Sequence, residues 1–169
     1  MKTIGLFMIA VSFILFALIK LDTYRKRLGA LQNAIMLSQC LKRELSTLPA
    51  ALPDMLKNVA KGSAAKTSLM FEKISNDMNF LGEKNFQEIW QENMDSFFPE
   101  LTGNELYELK KLGAYLGACP VDMQISYISF CENYFVEIHC RENSEFPQLI
   151  KLHLGLSAAL SAAIIIVFI

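Results

Sequence analysis

Two uncharged, strongly apolar segments lie near the two ends of this 169-residue chain and constrain its fold more than any other feature. Residues 3–19 and 154–169 contain no Asp, Glu, Lys or Arg. As a helix, the first segment reaches about 26 Å, just short of a ~30 Å hydrocarbon core. Lys2 and Lys20 flank it and can extend to the headgroups. We therefore predict a transmembrane anchor in 1–20 and a second transmembrane helix in 152–169.

Each apolar segment also has a second interpretation. The first resembles the apolar part of a cleaved signal peptide, but no A-x-A-like cleavage site follows it. The stretch from Leu21 to Arg27 instead looks like a stop-transfer flank, which favours an uncleaved anchor. For the second segment, the alternative is a buried terminal helix of a soluble protein. Apolar residues on every face of 162–169 favour lipid.

Basic residues near the two segments predict which side of a membrane the middle domain, 21–151, occupies. Lys2 alone precedes the first segment, whereas six basic residues lie on the inner sides of the two segments. These six residues are Lys20, Arg25, Lys26, Arg27, Arg141 and Lys151. Basic residues accumulate on the cytoplasmic side of membrane proteins. We therefore expect a multi-pass protein of the cell membrane with a cytoplasmic middle domain.

Helix start and stop signals divide the middle domain into a series of predicted helices. Runs of alternating polarity with hairpin turns, which would predict strands, are absent from its sequence. Apolar residues at three- and four-residue steps predict a first helix from about Lys20 to Leu48, ended by Pro49. Pro53 opens a short second helix that ends at Gly62. We predict an all-α fold, a helical bundle of about six helices flanked by the N- and C-terminal transmembrane helices.

Capping patterns place the later helices of the bundle. Asn85 with Glu88 forms a capping box that opens one helix, and Thr102 with Glu105 opens the next. A long last helix follows, and we expect Pro147 to kink or interrupt it. The residues expected to face the core include Met55, Leu56, Val59, Leu69, Met70, Ile74, Met78, Ile89, Trp90, Met94, Leu109, Leu112, Val121, Ile128, Phe135 and Ile138.

Reactive groups do not converge in a recognisable catalytic pattern. The sequence lacks a phosphate loop, a dinucleotide-binding glycine turn, H-E-x-x-H and G-x-S-x-G. His139 and Cys140 are neighbours, but adjacent helical residues point ~100° apart and do not form a base and nucleophile pair. The four cysteines show no C-x-x-C pair and no zinc-like spacing to histidine. We expect no enzyme activity, no cofactor, no metal site and reduced thiols.

Charge is divided unevenly along the chain, although the net charge of −1 offers no overall field for nucleic acid. Lys20 to Lys66 holds nine basic and three acidic residues, whereas Thr67 to Lys151 holds six basic and fourteen acidic residues. Pairing of the basic first helix with later acidic helices explains this division, and an acidic face for a protein partner is the second interpretation. The candidate partner-binding residues are Glu83, Glu88, Glu92, Asp95, Glu100, Glu105 and Glu108.

Small residues four positions apart mark candidate sites of close helix packing. Gly113 and Gly117 have this spacing inside the bundle, where each glycine costs up to ~1 kcal/mol of helix propensity. That cost implies a compensating close contact or a helix end. Gly155 and Ala159 repeat the spacing in the second apolar segment, where another transmembrane helix can approach closely.

Several passages resemble the stage III sporulation protein AB family of endospore-forming bacteria. The most specific passage is Leu109–Gly117 followed by Asp122 and Gln124, which is similar to the family's L-x-x-L-G-x-x-L-G … D … Q pattern. The other matching passages are Tyr24–Leu28, Cys40–Leu45 leading to Pro49 and Leu52, Leu69–Phe71, Trp90 and Leu149–Gly155.

This resemblance implies a cytoplasmic domain similar to the helical domains of the type II secretion platform protein F. It further implies a non-catalytic platform on the mother-cell side of the channel between mother cell and forespore. Its expected partners are the membrane, a hexameric cytoplasmic ATPase and other membrane proteins of the channel, with self-association left open. The alternative is a membrane-tethered helical regulator or ligand sensor with a pocket near Met55, Met70, Met78 and Met94.

Overall fold

A computed structural model describes residues 2–47, 51–63, 65–78 and 84–168 of the chain. Within these ranges the backbone forms six α-helices, which confirms the predicted all-α class. The helices are α1 (Lys2–Thr47), α2 (Leu52–Gly62), α3 (Ala65–Asp77), α4 (Phe86–Phe97), α5 (Gly103–Tyr115) and α6 (Val121–Phe168).

The starts of α2 and α4 follow from local sequence chemistry. Pro53 lies in the first turn of α2, where its missing N–H costs no helical hydrogen bond. At α4, Asn85 Oδ1 accepts a hydrogen bond from Glu88 N at 2.8 Å, and Glu88 Oε2 accepts one from Asn85 N at 3.1 Å. The predicted capping box is therefore present, and both helices begin where the sequence predicts.

The chain divides into two compact units. The central unit is Gly29–His139, and the terminal unit combines Met1–Leu28 with Cys140–Ile169. Helices α1 and α6 contribute residues to both units. The central unit is therefore shorter at both ends than the middle domain 21–151 that the sequence outlines.

The core of the central unit is built from apolar side chains of all six helices. Helix α3 packs on α2 and α4, and α4 packs on α5. Trp90, Phe71 and Phe135 are among the largest side chains that are fully buried. Other core residues are Leu31, Leu37, Leu41, Met55, Leu56, Val59, Met70, Ile74, Met94, Leu109, Leu112, Ile128 and Cys131.

Two expectations about individual residues are wrong, and one alternative for Pro147 is excluded. The apolar pattern predicts that Leu69 and Val121 face the core, but Leu69 is 61% exposed on α3 and Val121 is 39% exposed at the start of α6. The core side of α3 is instead formed by Met70, Ile74 and neighbouring residues, because one helix side suffices to pack on α2 and α4. Pro147 does not interrupt the last helix, since α6 continues through it to Phe168. A proline inside a helix removes one backbone hydrogen bond, which a helix of 48 residues can lose without ending.

Residues 3–19 of the first apolar segment fall within α1, and residues 154–168 of the second fall within α6. Ile169 lies outside the described residues. Among the residues that the structure describes, no helix combines the length and the apolar character needed to cross a membrane.

Candidate interaction surfaces

Three exposed carboxylates lie along one side of α4. Glu88, Glu92 and Asp95 follow one another at four- and three-residue steps, which places them on one helix face. Lys84 Nζ lies 2.6 Å from Glu92 Oε1, and Lys110 Nζ lies 2.7 Å from Asp95 Oδ1. We call Glu88, Glu92 and Asp95 the acidic stripe. Each of these three sequence-predicted residues is accessible to a partner in the isolated chain.

The opposite side of α4 is fixed to the rest of the central unit. Trp90 is fully buried, and its indole Nε1 donates a hydrogen bond to Leu109 O at 2.8 Å. The Asn93 amide nitrogen donates to Asp77 Oδ2 and to Ile89 O, each at 2.9 Å. The acidic stripe is therefore carried by a helix that α3 and α5 hold in place.

The other acidic candidates are placed differently. Glu105 is only 4% exposed, and its carboxylate accepts the backbone N–H that precedes α5 at 2.7 Å. Glu105 therefore belongs to the cap of α5 and not to an exposed surface, because a buried capping carboxylate cannot reach a partner. Glu108 is half-buried and accepts a hydrogen bond from the Tyr127 hydroxyl at 2.6 Å. Glu100 is half-buried, and Glu83 lies outside the described residues.

Gly113 and Gly117 occupy two different kinds of position. A Cβ atom on Gly113 would lie 2.5 Å from Trp90 Cγ and 3.0 Å from Trp90 Cβ, with Trp90 Cδ1 closer still. Gly117 follows the end of α5 with φ +75, the left-handed conformation that favours glycine. A Cβ there would lie 3.2 Å from Leu52 Cδ2. Gly113 thus lies at a close helix contact, and Gly117 lies at a helix end.

Gly155 and Ala159 are both exposed on α6. A Cβ atom on Gly155 would meet no described atom within 4 Å. Any close helix contact through these two residues would therefore have to come from outside the described part of this chain.

A hydrogen-bonded group at the α5–α6 contact was not expected from the sequence. Burial and the hydrogen bond to Glu108 raise the pKa of the Tyr127 hydroxyl. Cys131 is fully buried, and its Sγ lies 3.9 Å from Glu108 O. Burial, followed by the charge of Glu108, raises the pKa of the Cys131 thiol to about 12. Both groups therefore stay protonated at neutral pH, so Cys131 is a poor nucleophile.

Aromatic rings continue outward from this group along α6. The rings of Tyr115 and Tyr127 are stacked, with centroids 4.2 Å apart and planes at 8°. Phe130 follows at 5.8 Å from Tyr127, and Tyr134 follows at 6.2 Å from Phe130. Lys111 Nζ lies 5.4 Å from the Tyr127 ring centroid. Phe130 is 51% exposed, so a row of aromatic rings reaches the surface of the central unit.

The terminal unit contains a polar and aromatic connection between α1 and α6. Arg27 Nε lies 2.8 Å from Glu142 Oε2 and 3.0 Å from Glu142 Oε1. The two side chains are 22% and 15% exposed. The rings of Tyr24 and Phe146 lie 5.9 Å apart beside this ion pair. The predicted pairing of the basic first helix with later acidic residues therefore includes this ion pair.

A family model described as stage III sporulation protein AB matches residues 2–169 of the chain. The chain belongs to this family. The resemblance recognised in the sequence is thereby confirmed, and membership supports a role related to sporulation. No curated protein and no solved structure matches the chain.

The passage that most specifically resembles the family, Leu109–Gly117 with Asp122 and Gln124, has a physical explanation in the structure. Leu109, Leu112 and Leu116 are buried in the core. Gly113 allows the close contact with Trp90, and Gly117 lies at the end of α5. Gln124 is 6% exposed, and its side-chain amide donates to Cys119 O at 2.7 Å. The passage therefore packs α5 on α4 and fixes the turn that leads into α6.

In the described ranges the cysteines belong to no metal-binding cluster, and the four methionines of the predicted pocket lie in the core. The four cysteines are free, and no group of three His, Cys, Asp or Glu side chains there is placed to hold a metal ion. Met55, Met70, Met78 and Met94 are buried core residues. Two surface cavities of about 320 Å³ are lined by other residues, so neither is the methionine pocket of a ligand sensor.

Proposed function

We propose that this protein is a non-catalytic membrane platform of the sporulation channel between mother cell and forespore, and that it docks a hexameric cytoplasmic ATPase. Family membership supports the sporulation context. The observation that carries the docking role is the acidic stripe on α4, which is exposed on one side and anchored through Trp90 on the other.

Membrane association rests on the two apolar segments. Charge-free residues 3–19 and 154–169 supply the apolar length, and the large side chains described at their inner ends are exposed to solvent in the isolated chain. These exposed residues are Leu15, Phe16, Leu18, Ile19, Leu152 and Leu156. Exposed apolar surface of this kind is costly in water and favourable in lipid. The basic residues on the inner sides of both segments favour a central unit in the mother-cell cytoplasm.

Topology can be tested with thiol labelling of the full-length chain. The exposed Cys140 should react with an impermeant maleimide only after cells are lysed. A Thr3→Cys variant carrying Cys140→Ser should react in intact cells. Labelling of Cys140 in intact cells would reverse the proposed orientation, and extraction of the chain by alkaline carbonate would contradict membrane anchoring.

Charge supports the docking of a basic surface to the acidic stripe. Residues 84–116 contain six acidic and three basic side chains, so the ion pairs made by Lys84 and Lys110 leave an acidic excess. Exposed charges of one sign increase the association rate with a partner of opposite sign and select against like-charged partners. A motor pushing on this surface needs a rigid support, which the buried Trp90 side of α4 provides.

Reversal of two stripe charges tests the docking role. The Glu92→Lys and Asp95→Lys double variant should co-purify at least tenfold less ATPase from sporulating cells. Glu88 is left unchanged because it caps α4. The double variant Glu72→Lys and Glu137→Lys is the matched control, since it changes the net charge equally at exposed positions inside α3 and α6.

Substitutions at exposed positions usually shift the free energy of unfolding by about 0.5 kcal/mol, and loss of an exposed ion pair costs at most ~1 kcal/mol, so loss of binding can be separated from loss of fold. Normal recovery of the ATPase with the stripe variant would contradict docking at this surface. An equal loss in the control would attribute the effect to overall charge instead.

A further inference from the structure

A surface cavity of about 320 Å³ lies where α1 meets the end of α2 and the start of α3, inside the central unit. Its walls include Met36, Cys40 and Arg43 of α1, Gly62 at the end of α2 and Thr67 in the first turn of α3. The acidic stripe on α4 contributes nothing to these walls. The cavity is therefore separate from the proposed docking surface.

Thr67 is a buried polar residue of this cavity whose hydroxyl lacks a partner in the described part of the chain. The residue is 3% exposed, and none of the described residues forms a hydrogen bond with its Oγ1. Two nearby hydroxyls differ from it, since Ser38 Oγ donates to Ala34 O at 3.0 Å and Ser63 Oγ donates to Val59 O at 2.6 Å. Buried polar groups are nearly always hydrogen-bonded. The Thr67 hydroxyl therefore indicates a partner that comes from the cavity.

Arg43 brings a cation to the same cavity. Its Nη2 lies 2.9 Å from the position of a Cβ on Gly62, so the absence of a side chain at Gly62 makes room for the guanidinium. Its ion pair with Glu44 is long, at 3.9 Å from Nε to Oε1, and 55% of the Arg43 side chain is exposed. Within the described ranges, no acceptor forms a hydrogen bond with this guanidinium. A guanidinium fork matches the oxygens of a phosphate.

Helix α3 and the charges around the cavity also favour an anion. The first N–H groups of a helix have no acceptor within it, and α3 carries no acidic residue in its first turn. Residues 36–67 contain five basic and two acidic residues. Lys42 is paired with Glu132 of α6, which leaves four basic residues against two acidic ones. The start of α3 therefore borders the cavity in a basic neighbourhood, which is where anions bind.

We propose that this cavity binds the phosphate group of a small anion, either inorganic phosphate or a phosphate monoester. The Arg43 guanidinium and the first turn of α3 balance its charge, and the Thr67 hydroxyl donates to one of its oxygens. Met36 and Cys40 supply an apolar wall beside these donors, which suits the remainder of a small ester. This inference does not depend on ATPase docking, because the acidic stripe is not part of the cavity.

Equilibrium dialysis of the full-length chain in detergent against radiolabelled inorganic phosphate tests the site. The natural chain should bind phosphate saturably, and Arg43→Gln and Thr67→Val should each weaken binding at least tenfold. Arg25→Gln is the matched control, because Arg25 is an exposed arginine of the same helix outside the cavity. Thr67→Val removes an unpaired hydroxyl at nearly constant volume, so its melting temperature should not fall.

Phenyl phosphate distinguishes the two sources of the phosphate group. Tighter binding of phenyl phosphate than of inorganic phosphate would assign the cavity to a monoester, and equal or weaker binding would assign it to the free ion. Phenol carries the ring without the phosphate and should not bind.

Alkylation of Cys40 gives an independent readout in the same chain. Cys40 lines the cavity, whereas the exposed Cys140 lies outside it. Saturation with the tighter-binding phosphate probe should slow the reaction of Cys40 with N-ethylmaleimide at least fivefold and leave that of Cys140 unchanged, as measured by mass spectrometry of the two peptides. Absence of binding by the natural chain, binding that survives both Arg43→Gln and Thr67→Val, or an equal loss in Arg25→Gln would overturn the proposal. Equal slowing at both cysteines would show that the phosphate does not occupy this cavity.

Discussion

The side chain of Trp90 occupies the space that a side chain at Gly113 would need. Three atoms of the Trp90 side chain lie at or within 3.0 Å of the position of a Cβ on Gly113. These atoms, Cβ, Cγ and Cδ1, are near the backbone of a fully buried residue whose indole N–H is bonded to Leu109 O. The tryptophan therefore cannot move aside without breaking its own contacts.

Gly113→Ala should lower the free energy of unfolding by about 1–3 kcal/mol, because the added methyl overpacks the α4–α5 contact. Gly29→Ala is the matched control. Gly29 lies within α1, and its Cβ would meet nothing within 4 Å. That control should stabilise the chain by about 0.5–1 kcal/mol through helix propensity. Urea unfolding followed by circular dichroism measures both, and equal effects of the two substitutions would contradict the close contact.

Gly117 is predicted to tolerate asparagine better than alanine. Its φ of +75 costs a typical L-residue about 1–2 kcal/mol, whereas asparagine adopts this conformation more readily. The 3.2 Å approach of Leu52 Cδ2 to a Cβ at this position applies equally to both substitutions. Melting temperatures should therefore fall in the order glycine, asparagine, alanine. An alanine variant as stable as the natural chain would show that the turn does not require this conformation.

The helix ends were predictable because their signals are local. Pro53 and the Asn85–Glu88 box act within one turn of the chain, and each helix begins where these residues indicate. The division of the chain at Gly29 and His139 was not predictable in this way. It depends on contacts between residues far apart in the sequence, which capping and turn signals do not report.

The surface was harder to predict than the helices. Sequence identifies acidic residues on α4 and α5 and predicts that Glu105 caps α5, but only packing shows that Glu92 is exposed while Glu105 is buried. Leu69 fits an apolar helix pattern as well as Met70 does, yet only Met70 faces the core. The Tyr127–Glu108 hydrogen bond joins residues 19 positions apart on two helices, so periodicity gives no sign of it.

The ion pair between Arg27 and Glu142 should be energetically coupled far more strongly than an exposed pair. Its two side chains are 22% and 15% exposed and joined by more than one hydrogen bond, whereas those of Lys26 and Asp22 are each 62% exposed. Hydrogen bonds to charged groups contribute about 1.5–3 kcal/mol when partly shielded, and exposed pairs contribute at most ~1 kcal/mol.

A double-mutant cycle measures this coupling in the full-length chain. Arg27→Gln and Glu142→Gln, alone and together, should give a coupling energy of about 1–3 kcal/mol. The cycle of Lys26→Gln with Asp22→Asn should give about 0.5 kcal/mol or less. Coupling that is equally small in both cycles would mean that the Arg27 ion pair does not hold α1 to α6.

Cys131 should make the fold sensitive to alkaline pH. Burial and the nearby charge of Glu108 raise the pKa of its thiol from 9.0 to about 12. The unfolded chain ionises this thiol near pH 9, while the folded chain keeps it protonated. The contribution of the thiol to the free energy of unfolding is therefore complete below pH 9 and is lost as the pH rises toward 12.

The Cys131→Ala variant tests this prediction, because it lacks the pH-dependent contribution of the thiol. The difference in stability between the natural chain and the variant should shrink by up to about 1.4 kcal/mol per pH unit above 9. Urea unfolding at pH 8, 9 and 10 (about one unit either side of the ordinary thiol value) measures the slope. Ile128→Val is the control, because Ile128 is buried beside Cys131 and its truncation lowers stability by a similar amount at every pH. If the free energy of unfolding of Cys131→Ala changes with pH in the same way as that of the natural chain, the thiol is not shielded from solvent in the fold.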